Sequence, residues 1–174
     1  MKKLAFILIA FLTLAIGNKA KAIEDPFPVG TFIGSAHVGL LPGIGVNITG
    51  DYVLVDWWWK GHFTVGGYAG YNHIGIFSKS DHKYSNFAIL PRATYGLNIT
   101  DDFEVHAGVL AGIGYRGYTY SDSNGQLHRD HQLIPDIGGV AGVRYRLQGN
   151  FYVAGELNYT ATMSYFNVGV SFVF

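Results

Sequence analysis

The chain has 174 residues, of which 49% are apolar, 16% aromatic and 14% charged, with 24 glycines and no cysteine. So many glycines in so apolar a chain exclude a helix bundle, and the aromatic content excludes a disordered polymer. The lack of cysteine rules out a disulfide scaffold, a thiolate metal site, a cysteine nucleophile and lipid attachment through Cys. Twelve basic residues balanced by 12 acidic ones leave no electrostatic footprint for nucleic acid.

Residues 1–22 carry the pattern of a cleaved secretory signal. Lys2 and Lys3 precede an apolar run over residues 4–17, and Ala20-Lys21-Ala22 supplies the small residues that a signal peptidase reads. The run is shorter than the roughly 20 residues of a spanning helix. Cleavage is expected after Ala22, leaving residues 23–174 as the exported domain. Losing Lys2, Lys3, Lys19 and Lys21 takes the basic count from 12 to 8 against 12 acidic residues. No later apolar stretch escapes interruption by glycine or polar residues for long enough to serve as a membrane helix.

From there the period is two. Alternation predicts strands over residues 32–40, 46–54, 63–71, 87–97, 103–119, 137–147, 151–159 and 166–174. The last is the clearest: Phe166, Val168, Val170, Phe172 and Phe174 share one face. Tight turns are expected over residues 97–102 and 148–150, and an inner turn around Trp57, Trp58, Trp59 and Lys60, where tryptophan suits the headgroup layer. Longer polar connections are expected over residues 77–86 and 121–136, and short outer loops over 41–43 and 160–163.

The two faces differ in chemistry. One is apolar, uncharged and bounded by aromatics (Phe103 with Tyr115, Phe151 with Tyr159). The other combines glycine with Arg92, Glu104, Arg116, Arg144, Arg146, Glu156 and Asp51. Burying those charges in an apolar core costs several kcal/mol each unless they pair, whereas the lumen of a narrow barrel lets them pair with one another. The reading is an all-β, transmembrane, eight-stranded antiparallel up-and-down barrel, apolar face to lipid. Eight strands enclose room for side chains and none for a channel. Tyr68 and Tyr152 are expected to fill it beside the charges. Across the turn at Gly149, Arg144 is expected opposite Ala154 and within reach of Glu156.

Residues 64–71, 138–145, 154–159 and 168–174 carry a resemblance over nearly all of the exported domain. The chain resembles the small eight-stranded outer-membrane β-barrels of the OmpX and OmpA membrane-domain kind. The resemblance implies a Gram-negative outer membrane, with surrounding lipid and lipopolysaccharide as partners and no cofactor. It also implies that Val170, Phe172 and Phe174 form the terminal signal read by the barrel-assembly machinery. A monomer is expected, without the peptidoglycan-binding domain of longer relatives. The short first and fourth outer loops depart from the long-looped adhesins of the family and argue against a host-binding role.

The remaining motifs are weak. Gly112-Ile113-Gly114-Tyr115-Arg116-Gly117 matches a dinucleotide fingerprint but lies inside one alternating strand, without the helix that motif needs. His128 and His131 flank Arg129-Asp130 and offer imidazoles to a metal, although the spacing is no known zinc pattern. With Lys79, Asp81, His82 and Lys83, the same stretch offers contacts to lipopolysaccharide phosphates. Ser164 with His37, His73, His128 or His131 is the one combination proposed for a nucleophile and base. Asn47, Asn98 and Asn158 head N-x-[ST] triplets and are read as polar filler of the inner side. A structural or envelope-associated role is therefore expected. A lipid A-modifying enzyme is the first alternative and a secreted lipocalin-like cup the second.

Overall fold

The computed structural model describes residues 26–57, 61–74, 83–121 and 126–174. Eight strands follow in order: β1 (Phe32–Leu40), β2 (Ile44–Trp57), β3 (Gly61–Ile74), β4 (Lys83–Thr100), β5 (Phe103–Ser121), β6 (Leu127–Gln148), β7 (Phe151–Tyr159) and β8 (Phe166–Val173). Each pairs antiparallel with its neighbours, and β8 returns to β1 to close the barrel. Phe32 and Phe174 complete the seam, exchanging backbone hydrogen bonds of 3.2 and 2.9 Å. No helix among the described residues is long and apolar enough to cross a membrane; the strands make the crossing.

Period-two alternation becomes two surfaces once the sheet closes. Val38, Ile48, Val109, Ile113, Ile137 and Leu157 face outward, whereas Asp51, Arg92, Glu104, Arg144 and Glu156 face inward and are buried. This is the transmembrane arrangement: apolar side chains toward hydrocarbon, polar ones within, and no unpaired sheet edge in lipid.

Two of the expected turns are tight hairpins, Asp101-Asp102 between β4 and β5 and Gly149-Asn150 between β6 and β7. Gly149 has φ +53°, which suits a glycine that opens a two-residue hairpin loop. Register slips at Val53/Val55, Asn98/Thr100 and Arg146/Gln148 mark bulges at this same inner end. The first bulge turns both Leu54 and Val55 outward, with Trp57 after them. Trp57 thereby joins Phe32, Phe151, Phe172 and Phe174 in an inner aromatic belt, with Phe172 4.9 Å from Phe151 and 6.5 Å from Phe174. Trp58 and Trp59, like the signal at residues 1–22, lie outside the described residues.

Two expected connections turn out shorter than the sequence suggested. The stretch 121–136 is mostly strand, because β5 runs on to Ser121 and β6 begins at Leu127, with register held from Ser121↔Leu127 inward. Likewise β4 begins at Lys83 within the expected 77–86 loop. The outermost residues of both extensions, 83–86 and 127–132, lie where lipid no longer imposes an apolar face, so alternation is lost while the hydrogen-bond ladder continues. β4 stays paired with β5 out to Thr119, whereas β7 pairs with β6 only from Gly139 inward, so β5 and β6 rise well past β7 at the outer end.

Candidate functional site

The lumen is layered. At the inner mouth Phe27, from the segment preceding β1, is buried against Ile33, Val53, Tyr152 and Val173. Its ring lies 4.8 Å from His62 and 5.4 Å from Tyr152. Gly30, at φ +92°, makes the turn that folds this segment back, and Thr31 N donates to Pro28 O at 3.1 Å. Beside it Arg146 Nε donates to the Tyr152 hydroxyl at 2.8 Å, with its guanidinium 5.3 Å from the ring centre and 3.7 Å from Asp102 Oδ1.

Above that stopper sits the ion network. Arg144 Nη1 reaches both oxygens of Glu104, at 2.9 and 2.8 Å, and its Nη2 lies 3.4 Å from Asp51 Oδ2. Arg92 Nε lies 2.9 Å from Asp51 Oδ1, and its other nitrogens reach Glu156 at 3.0 and 3.3 Å. Asp51 thus joins two guanidinium–carboxylate pairs into one network. His106 Nε2 lies 3.2 Å from Glu156 Oε1, and His62 Nε2 lies 3.4 Å from Glu104 Oε1. Three carboxylates against two guanidiniums leave one formal negative charge, with two imidazoles beside it. Glycine makes the room: a Cβ at Gly96 would meet Glu104 Oε1 at 2.4 Å, and one at Gly142 would meet His106 Nε2 at 2.5 Å.

The next layer outward is apolar, with Tyr68, Ala88, Leu90, Leu110, Val140 and Met163 packed together. Met163 belongs to the connection between β7 and β8, which folds over the outer mouth. Asp136 holds that connection, accepting from Ala161 N at 2.8 Å, from Thr162 N at 3.1 Å and from the Thr162 hydroxyl. Asn86 Nδ2 donates to Thr162 O at 2.9 Å, and Arg116 Nη2 donates to Ala161 O. Beneath it His37 Nδ1 lies 3.0 Å from Asn47 Oδ1, and Asn47 Nδ2 donates to Asn167 Oδ1 at 2.8 Å.

Several expected partnerships are corrected by this geometry. Arg144 sits opposite Ala154 in the β6–β7 register, yet its partner is Glu104, directly across the β5–β6 ladder, rather than Glu156, which pairs with Arg92. Arg116 lies outside the ion network because it projects from the outer end of β5. Arg146 lies at the inner mouth, separate from the central network. His128 and His131 cannot share a metal, because residues three apart on a strand face opposite sides. Among the described residues no group of three or more His, Asp or Glu is arranged to hold a metal ion. Among the described residues Ser164 Oγ is buried without a hydrogen-bond partner, and His37 is engaged with Asn47.

Among the described residues a serine does meet a histidine at Ser85, which no sequence signal identified. Cross-strand register places it opposite His73, with His73 Nδ1 3.0 Å from Ser85 Oγ and the Tyr71 hydroxyl donating to that same oxygen at 3.3 Å. All three face outward at the outer rim. The sequence reading missed Phe27, Asp136 and Ser85: Phe27 precedes β1 and carries no strand period, and strand register and packing are what reveal the roles of Asp136 and Ser85.

No protein-family model and no curated protein matches the chain. Solved structures do. The chain is similar to Ail, the attachment invasion locus protein of Yersinia pestis, at 14% identity and a TM-score of 0.57, over 84% of this chain and 100% of that one. It is also similar to the N-terminal β-barrel domain of Pseudomonas aeruginosa OprF, at 18% identity and a TM-score of 0.51, over 84% of this chain and 98% of that one. Closed in the same way and filled from end to end, the chain has the fold of the small eight-stranded outer-membrane β-barrels.

Proposed function

We propose that the protein serves in the Gram-negative outer membrane as a non-conducting barrel that presents the β5–β6 hairpin and the β3–β4 connection outward. The observation that carries this reading is a lumen filled at three successive levels, by Phe27, by the Arg92–Asp51–Arg144 network and by Met163, inside an apolar wall. Such an interior supports anchoring and presentation rather than passage of solutes. Ail is an attachment invasion locus protein, and outward presentation by a projecting hairpin is the part of such a role that this geometry supports. Planar-bilayer recording tests the reading together with membrane fractionation and heat-modifiable gel mobility. A membrane-bound, heat-modifiable band without stable conductance steps is expected, and porin-sized steps would refute it.

Two variants probe the ends. Phe174→Ala removes the terminal aromatic that closes the β1–β8 seam and ends the proposed assembly signal; the expected result is a lower yield of heat-modifiable barrel, and unchanged yield counts against the signal. Asp136→Ala releases three hydrogen bonds to the β7–β8 connection. Amide exchange at Ala161 and Thr162 is expected to rise by about tenfold. Conductance should remain absent, because the Tyr68–Leu90–Leu110 layer lies below.

A second reading, acyl-ester chemistry on outer-leaflet lipid, draws support from the His73–Ser85 hydrogen bond. Mass spectrometry of lipid A with and without expression tests it, and an unchanged lipid A leaves the non-enzymatic role.

A further inference from the structure

Three rows of outward-facing residues cross the sheet at its outer end. The lowest runs Ala36, Ile48, Ala69, Ile89, Ile113; the next runs Val38, Val46, Tyr71, Phe87, Tyr115; the third reaches His73, Ser85, Gly117 and His131. Ala36 and Ala69 are small among Val and Ile neighbours. Below Tyr71 and Phe87 they leave a groove of 500 Å³ in the lipid-facing wall, lined also by Val38, Val46 and Ile48.

The wall changes character immediately above the groove. Tyr71, Ser85 and His73 are linked by hydrogen bonds while facing outward, next to Ile44 and Leu40 in the same row. Hydrocarbon offers such groups nothing, so they belong at headgroup depth. Gly117 leaves a gap between Ser85 and His131: a Cβ there would meet only Ser85 O at 3.5 Å and Tyr115 Cε1 at 3.8 Å, ordinary contact distances. His131 is held at the far side of that gap, its ring stacked on Tyr115 at 6.0 Å. Arg129 is exposed and lies on the same face two residues further out. Asp130 belongs to the opposite face, and its Oδ1 accepts from His131 N at 2.8 Å. The order along the wall is therefore aliphatic groove, aromatic row, imidazole and hydroxyl row, then guanidinium.

We propose that this wall binds one phosphorylated, multiply acylated glycolipid of the outer leaflet, an acyl chain lying in the groove below Tyr71 and an anionic headgroup across Gly117 between the His73–Ser85 pair and His131 with Arg129. The proposal rests on the outer-membrane reading above and names the lipid. From His73 to His131 the row spans three inter-strand steps, about 14 Å. That is the breadth of a two-sugar headgroup rather than of a single glycerophosphate. A guanidinium and imidazoles suit phosphate oxygens, and Tyr71 and Ser85 suit the ester and hydroxyl groups where chains join the sugar.

Native mass spectrometry of the purified full barrel with bisphosphorylated lipid A tests the site. One retained molecule is expected. Its affinity should fall about tenfold or more in Arg129→Ala and in His131→Ala, the loss expected for one charge-assisted contact. Ala69→Trp, which fills the groove without touching the charges, should lower it as well. Phosphatidylglycerol should not compete at equal concentration. Equal retention by all three variants, or equal competition by phosphatidylglycerol, overturns the proposal. Heat-modifiable mobility of the same preparations reports the barrel separately: where it holds while the variants retain lipid A like the parent, the site fails and the outer-membrane reading stands.

Discussion

Arg144→Met lowers the unfolding free energy of the vesicle-embedded barrel by about 3–5 kcal/mol, the usual cost of leaving a buried counter-charge unpaired. Arg144 makes the closest contacts of Glu104 and is the second partner of Asp51; methionine has similar bulk, so the loss is electrostatic. Glu104 would be left with the imidazoles of His62 and His106. The double variant Arg144→Met, Glu104→Gln should cost less than Arg144→Met alone, because it removes both members of the pair. Urea unfolding of the parent, both single variants and the double variant in lipid vesicles measures that coupling. Additive costs would show that the pair contributes space-filling alone.

The second large effect belongs to the other face. Val109→Arg places a charge midway along β5 on the wall, where Val109 is 63% exposed. A barrel in hydrocarbon should lose about 2–4 kcal/mol by that change. Leu40→Arg, at the outer end of β1, should cost only about 0–1 kcal/mol, since its side chain reaches the headgroups. A soluble cup with outward-facing water would tolerate both equally. The same vesicle unfolding experiment separates the two, and depth-independent costs would refute the membrane orientation.

Much of the architecture was legible because lipid and lumen impose opposite demands on alternate residues. β1 and β7 begin and end where alternation does, at Phe32–Leu40 and Phe151–Tyr159. The hairpins at Asp101-Asp102 and Gly149-Asn150 were equally readable from turn chemistry. The signal weakened wherever one of those demands ceased. Toward and beyond the headgroups both faces of β5 and β6 meet water, so residues 127–132 looked like a loop although the ladder continues. The charged residues of the lumen were recognisable singly. Their partners were not, because Arg92 on β4 reaches across the interior to Asp51 on β2 and Glu156 on β7, a pairing that depends on barrel diameter and shear rather than on adjacency. Ser85 and His73 lie 12 residues apart on strands whose connection does not reveal their register.

Phe27 has a practical corollary. It lies outside the sheet, between two prolines, yet it stoppers the inner mouth. A reporter placed at Phe27 itself must displace the ring from Ile33 of β1 and Val173 of β8 and so disturb the closing seam, whereas one at the outer end of β5 or β6 sits at the opposite pole, clear of that packing. Labelling strategies for this barrel should therefore favour the outer end of the β5–β6 ladder over Phe27.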